Sequence, residues 1–284
     1  MNQKELNIFA ARIRKAALRA MHNVGAGHVG GSMSMADLMA VLYGEVMKID
    51  PKNPKWEERD WLVVSKGHCG PAVYGALALR GYFDEAELDT VNQGGTRLPS
   101  HCDMNLTPGI DMSTGSLGQG MSTAIGAAWG SRYQGRDNYT YLVLGDGETN
   151  EGQVWEGALF AAQQKLDHLI AFIDYNKKQL DGCTADICDI GNVRKKFEDF
   201  GWDACECDGH DTAAVKEAIE KAKAVSGKPH VIVLNTIKGK DCSFAEGVLY
   251  NHHMKFKPED YQAALEALDA KIEQMEKEES SCIR

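Results

Sequence analysis

Asp146 and Asn176 are the residues of this chain best placed to hold a hard metal ion. Asp146 lies between Gly145 and Gly147, directly after the apolar run Tyr141–Leu144. Asn176 follows a second run, Leu169–Tyr175. A carboxylate and a side-chain amide both offer hard oxygen donors, suited to Mg²⁺, and also to Ca²⁺ or Mn²⁺. Between the runs, Glu151 to Lys165 has the apolar spacing of an amphipathic helix, so the whole reads as a βαβ unit. That unit sets both ligands at the carboxyl ends of neighbouring parallel strands, where α/β sheets bind their ligands. The flanking glycines let the backbone approach a bulky anion, and Gly147 exposes its N–H. A hard metal together with backbone donors is what a diphosphate requires.

Histidines form a second constellation. His28 lies in Gly27-His28-Val29-Gly30-Gly31, which reads as a loop, and His68 lies in Ser65-Lys66-Gly67-His68 at the end of a strand. His101 follows Pro99-Ser100, and His252 and His253 follow Asn251. Imidazoles in such loops can donate to substrate hydroxyls, to phosphate oxygens or to charge developing on oxygen, so His28, His68, His101 and one of the pair His252 and His253 are the candidate catalytic residues. Gly25-Ala26-Gly27-His28-Val29-Gly30 matches the dinucleotide pattern G-x-G-x-x-G, but a helix precedes it where a strand is required, which argues against a nicotinamide site. Gly115-Ser116-Leu117-Gly118-Gln119-Gly120 opens a small-residue helix and suits a turn that lays backbone groups against a flat ring.

Strands are expected at Trp61–Ser65, Thr140–Leu144, Leu169–Tyr175, Trp202–Glu206 and His230–Ile237. Helices are expected at Leu6–Val24, Met35–Val46, Leu117–Tyr133, Glu151–Lys165 and Thr212–Ala224, and a packed terminal helix from Pro258 to Glu278. Their alternation implies a parallel sheet covered by helices on both faces. With 284 residues and 43% apolar composition, the chain is long enough for one large α/β domain. Its net charge of −10 argues against nucleic acid or an anionic membrane as partner. No apolar run reaches the ~18 residues of a membrane span, and no secretory signal pattern opens the chain. The eight cysteines are scattered and form no Cys-x-x-Cys, which points to reduced thiols in the cytoplasm and to neither a zinc site nor a redox pair.

Taken in order, these segments resemble the N-terminal third of transketolase. The metal segment is similar to the thiamine-diphosphate motif, in which Gly-Asp-Gly and a later Asn hold the cofactor's diphosphate through a divalent metal. Most versions end in Asn-Asn; here Tyr175 precedes Asn176, as also occurs in transketolases. Val29 stands where the family has Pro, Ser100 where it has Gly and Ser116 where it has Pro, and none of these removes a functional side chain. The resemblance implies that His28 contacts substrate, His68 the cofactor diphosphate and His101 a donor hydroxyl. His252 aligns with a residue touching diphosphate and substrate, with His253 as the alternative. By the same resemblance Gly115, Ser116 and Leu117 line the aminopyrimidine and Gly147 donates to the diphosphate. Asp146, Asn176 and the backbone carbonyl of Lys178 would bind the metal. Glu151 and Glu156 would face a dimer axis and join two cofactor sites.

The implied fold is the diphosphate-domain α/β fold over residues 1–257, followed by a C-terminal helix and tail at 258–284. In the family, the glutamate that hydrogen-bonds the pyrimidine ring and the arginines that grip substrate phosphates belong to a second domain, for which 258–284 leaves no room. The chain is therefore expected to be the diphosphate-binding subunit of a split transketolase, moving a two-carbon ketol unit between sugar phosphates with a C-terminal partner subunit, in an α2β2 assembly. The α subunit of a 2-oxo acid dehydrogenase also carries the metal motif, but the four histidines and Ser-Leu-Gly-Gln-Gly favour transketolase. Deoxyxylulose-phosphate synthase shares an early Gly-His loop but is a single long chain. A non-catalytic homologue would have no need of intact Asp146, Asn176 and histidines.

Overall fold

The computed structural model describes residues 1–281; Cys282 and the two residues after it lie outside the described part. The chain opens with α1 (Gln3–His22), capped at its start by Asn2 and Glu5, each side chain bonding the other's backbone N–H. The two-residue β1 (Ala26–Gly27), α2 (Val29–Ser34) and α3 (Ala36–Val41) follow, then a π turn at Leu42–Val46. Next come β2 (Trp61–Val64), α4 (Gly70–Leu79), α5 (Gln119–Tyr133), β3 (Thr140–Gly145), α6 (Gly152–Gln163) and β4 (Leu169–Tyr175). The rest comprises α7 (Thr184–Ile187), α8 (Val193–Asp199), β5 (Asp203–Asp208), α9 (Thr212–Lys223), β6 (His230–Asn235), β7 (Met254–Lys255) and α10 (Pro258–Ser281). Among the described residues no helix is long and apolar enough to cross a membrane.

Five strands form one parallel sheet in the order β2-β3-β4-β6-β5, while β1 and β7 pair antiparallel by themselves. Because successive side chains in a strand point to opposite faces, each strand feeds two cores. Val64, Tyr141, Val143, Ile170, Phe172 and Ile232 pack under α1, α3, α4 and α9. Val63, Leu142, Leu144, Ala171, Ile173 and Val233 pack under α5, α6 and α8. The parallel sheet with helices on both faces is thus as the sequence implied. A third cluster joins α1 to α10 through Ala11, Leu18, Ala264 and Leu268.

Three local expectations need correcting. The stretch from Gly27 to Gly31 is not simply a loop, since His28 is the N-cap of α2 and Val29, Gly30 and Gly31 are helical. The glycines there serve close packing: a Cβ on Gly30 would lie 2.4 Å from the Asn251 carbonyl oxygen, and one on Gly31 2.7 Å from Cys69 Sγ. The helix expected over Met35–Val46 begins only after Met35 and loosens into a π turn at Leu42. The last strand stops at Asn235 rather than Ile237, because Thr236 turns away to bond Asp174 and Ile237 N–H donates to His210 Nε2 at 2.8 Å. The sequence reading also missed α4, which is buried on almost every side and so shows no amphipathic period.

Candidate active site

Every strand end that carries a candidate ligand opens on the same edge of the sheet. Ser65 and Lys66 follow β2, Asp146 follows β3, Asn176 follows β4 and Lys238 lies just beyond β6. They surround a cavity of about 300 Å³, whose wall includes Lys66, His68, Leu117, Asp146, Gly147 and Glu148. Glu151, Asn176, Lys178, Lys238 and His252 also line it. A larger cavity of about 420 Å³ lies elsewhere, around Asn138 and His168, and contains none of these groups.

Asp146 is 3% exposed. Its carboxylate accepts the backbone N–H groups of Gly147 at 2.7 Å and Lys177 at 2.5 Å. Lys177 adopts a left-handed φ of 65°, a conformation that β-carbon sterics disfavour for residues other than glycine. Burial, aided by the neighbouring Asp174, pushes the Asp146 carboxyl up to about 6. Asn176 donates from Nδ2 to Asp174 Oδ2 at 3.0 Å, and its Oδ1 accepts from Lys178 N–H at 3.2 Å. The Lys178 carbonyl accepts from Lys238 Nζ at 3.0 Å. Among the described residues no group of three or more His, Cys, Asp or Glu could hold a metal. The set here is instead one carboxylate, one amide oxygen and one carbonyl. A buried carboxylate held against ionisation, beside two neutral oxygen donors, fits a hard divalent cation, which would keep it ionised.

Beneath this set lies a buried ion pair that sequence reasoning did not find. Lys66 and Asp174 are 2% and 1% exposed at their side chains and bond each other directly. Asp174 also accepts Ser34 Oγ at 2.6 Å and the Thr236 hydroxyl. Burial opposes ionisation of both, but each partner outweighs it for the other: Asp174 is held below the usual carboxylate range and Lys66 above the usual range for lysine. A lysine beside the Gly-His pair and an aspartate two residues before Asn176 were the signals available in sequence.

The five loop histidines converge. The His28 ring centroid lies 5.2 Å from His68, 5.5 Å from His101, 5.4 Å from His252 and 4.8 Å from His253, and His68 lies 4.7 Å from His252. His68 and His252 reach the cavity that holds Asp146, whereas His28 and His253 face a smaller recess with Ser100. Burial, reinforced by the neighbouring imidazoles and Lys238, lowers His28 to about 4. Burial together with Lys238 lowers His252 to about 3. His68 is driven well below the ordinary value, first by burial and then by Lys66, and His101 is lowered by burial. His28, His68, His101 and His252 are therefore neutral near pH 7. Lys238 Nζ donates to His252 Nδ1 at 3.2 Å, leaving the ring proton on Nε2. Lys238 itself is lowered to about 8, by burial and then by Lys66.

The turn before α5 brings Leu117 to the cavity, while Gly115 packs against His101. Gly118 takes a φ of 83°, which glycine adopts freely, and a Cβ there would meet Glu151 Cβ at 3.0 Å. Ser116 is exposed and accepts the Gln119 N–H through its carbonyl at 3.2 Å. Glu151 and Glu156 are both exposed, the first at the cavity mouth and the second one turn along α6.

Residues 6–275 match the family described as transketolase, thiamine diphosphate binding domain. The chain is 52% identical over 267 residues to the 6-deoxy-6-sulfo-D-fructose transketolase subunit SqwG of Clostridium sp. strain MSTE9, covering 94% of this chain and 97% of that one. It is 40% identical to one of the subunits named for the apulose-4-phosphate transketolase of Actinobacillus succinogenes, over 90% of this chain and 92% of that one. Against a solved transketolase variant from Pichia stipitis it aligns with a TM-score of 0.87 at 31% identity, over 96% of this chain but 41% of the other. The transketolase of Campylobacter jejuni gives a TM-score of 0.86 at 28% identity, with 98% and 48% covered. The chain thus spans less than half of these two solved transketolases and nearly all of the two named subunits. It belongs to the transketolase family, as its thiamine diphosphate-binding domain.

Proposed function

We propose that the chain is the diphosphate-binding subunit of a two-subunit transketolase, which moves a two-carbon ketol unit from a ketose phosphate to an aldose phosphate. One observation carries this reading: an oxygen ligand set and a neutral histidine cluster share one edge of the sheet, with His68 and His252 common to both. Asp146, Asn176 and the Lys178 carbonyl would hold Mg²⁺, and through it the diphosphate of thiamine diphosphate, with Gly147 N–H, His68 and Lys238 as further donors. Leu117 and the backbone of Gly115 and Ser116 would lie along the aminopyrimidine. The cofactor, when bound, supplies the nucleophilic carbon and the electron sink for C–C cleavage. The chain's own part is positional. Neutral imidazoles of His28, His101 and His252 donate to sugar hydroxyls and to oxygen as charge develops on it, and burial keeps them uncharged until then. Their close packing also narrows the space open to water at the reacting end.

The partner would supply the pyrimidine-binding domain and the phosphate-gripping groups, in an α2β2 assembly in the cytoplasm. Supporting this, relatives of nearly equal length are named as subunits, and α5 and α6, which pack against each other, expose Trp129, Tyr133, Leu159 and Phe160. The test is reconstitution. The purified chain and its partner subunit, separately and mixed, are assayed with Mg²⁺ and thiamine diphosphate against a panel of sugar phosphates and sulfonated sugars. The panel includes apulose 4-phosphate and 6-deoxy-6-sulfofructose, after which the relatives are named. Activity confined to the mixture is expected; robust turnover by the chain alone, free of partner, refutes the split-site reading.

A further inference from the structure

Glu148 is 2% exposed and has no part in the chemistry described above. It lies in the 3₁₀ turn Gly147–Asn150, two residues after the metal-ligand candidate Asp146. Donors from three separate segments converge on its carboxylate. Oε1 accepts the Ser65 hydroxyl and, at 2.8 Å, the Gly118 N–H, while Oε2 accepts the Gly145 N–H at 3.0 Å. Ser65 begins the segment that carries Lys66 and His68, Gly118 closes the turn that carries Leu117, and Gly145 begins the turn that carries Asp146. Two of the three donors are backbone groups, which cannot turn to a new partner without moving the turn they belong to. A buried carboxylate persists only where such donors replace water.

We propose that Glu148 is a positioning residue that fixes the spacing between the Leu117 turn and the Asp146 turn, so that both ends of one thiamine diphosphate molecule are met at once. The inference rests on the thiamine-diphosphate reading of the site. The Leu117 turn enters α5 and the Asp146 turn leaves β3, and a ligand whose two ends are covalently joined gains most from both when their separation is already set. The simpler alternative is a satisfied buried glutamate that stabilises the fold and nothing else. The two differ in how ligands of different length respond.

The test uses the full chain assembled with its partner subunit, titrated calorimetrically with Mg²⁺ plus inorganic pyrophosphate and with Mg²⁺ plus thiamine diphosphate. Pyrophosphate needs only the Asp146 turn, whereas the cofactor needs both turns. In Glu148→Gln one acceptor oxygen becomes a donor that must face an N–H or a hydroxyl. The affinity ratio of cofactor to pyrophosphate is expected to fall about tenfold in Glu148→Gln and about threefold in Ser65→Ala, consistent with losing charge-assisted hydrogen bonds. Pyrophosphate affinity itself should stay within about twofold. An unchanged ratio in either variant, even with a lower melting temperature, overturns the proposal, as does equal loss of both ligands. If Glu148→Gln does not fold, Ser65→Ala, which keeps the carboxylate and both backbone bonds, decides alone. A wild-type assembly that gains nothing from cofactor over pyrophosphate sinks the cofactor reading first, and this inference with it.

Discussion

Replacing Lys66 by methionine isolates the energetics of the site's foundation. Lys66 and Asp174 are buried together, and Asp174 also holds Ser34, Thr236 and Asn176. Methionine matches the length of the lysine stem but carries no charge, so Lys66→Met leaves a buried carboxylate with only hydroxyl and amide donors. Breaking a buried pair from one side costs about 3–5 kcal/mol, because the remaining charge is uncompensated. At ~2–4 °C of melting temperature per kcal/mol in large domains, the loss should be roughly 6–20 °C. Asp174→Asn should destabilise as well, since it strands the ammonium group. The double variant removes both charges, and its amide can still accept one of the Ser34 and Thr236 hydroxyls through its oxygen while donating to the other through its NH2. Its loss should fall short of the summed singles by about 2 kcal/mol, within the range seen for directly coupled residues. Urea unfolding of all four proteins at pH 7, followed by tryptophan fluorescence, measures this. A loss below about 1 kcal/mol for Lys66→Met, or strict additivity in the cycle, would refute the reasoning.

Asp146→Ala removes the only carboxylate of the proposed metal set and should weaken Mg²⁺-dependent thiamine diphosphate binding by at least the ~10–100-fold typical of metal-site changes; calorimetry showing normal binding removes Asp146 from that role. Glu151→Gln should weaken assembly or turnover while leaving the melting profile of the chain intact, with Glu156→Gln doing less, as read by light scattering and by assay of the reconstituted enzyme. Asp37 is buried against Arg14 and His210, whose pull outweighs burial and holds its carboxyl below the usual range. A depressed carboxylate contributes stability that is present above its unfolded value, near ~3.9, and is lost as pH falls through the folded value. Asp37→Asn should therefore lower the urea midpoint at pH 6 and narrow its gap to wild type as pH approaches 3. A constant gap across that range removes the ionisation argument.

The sequence by itself determined most of the sheet, because β2, β3, β4 and β6 are short apolar runs that end where a ligand candidate or a turn begins, whereas the edge strand β5 carries three acidic residues. It marked Asp146 and Asn176 as candidates for the same reason, since a position at a strand end is marked by where the apolar residues stop. It could not determine that His28, His101 and His253 meet. Their segments lie far apart in the chain; the pairing of β1 with β7, Gly27 opposite Met254, sets His28 beside His253, and the packed structure brings His101 up to His28. Nor could it separate His252 from His253: adjacent residues have the same local signal, and the bond to Lys238 is what turns His252 toward Asp146. Lys66, Glu148, Asp174 and Lys238 read as ordinary surface charges in a linear chain. Their roles come from burial, which raises the energy of each charge until a specific partner answers it, and partners are a property of the packed structure alone.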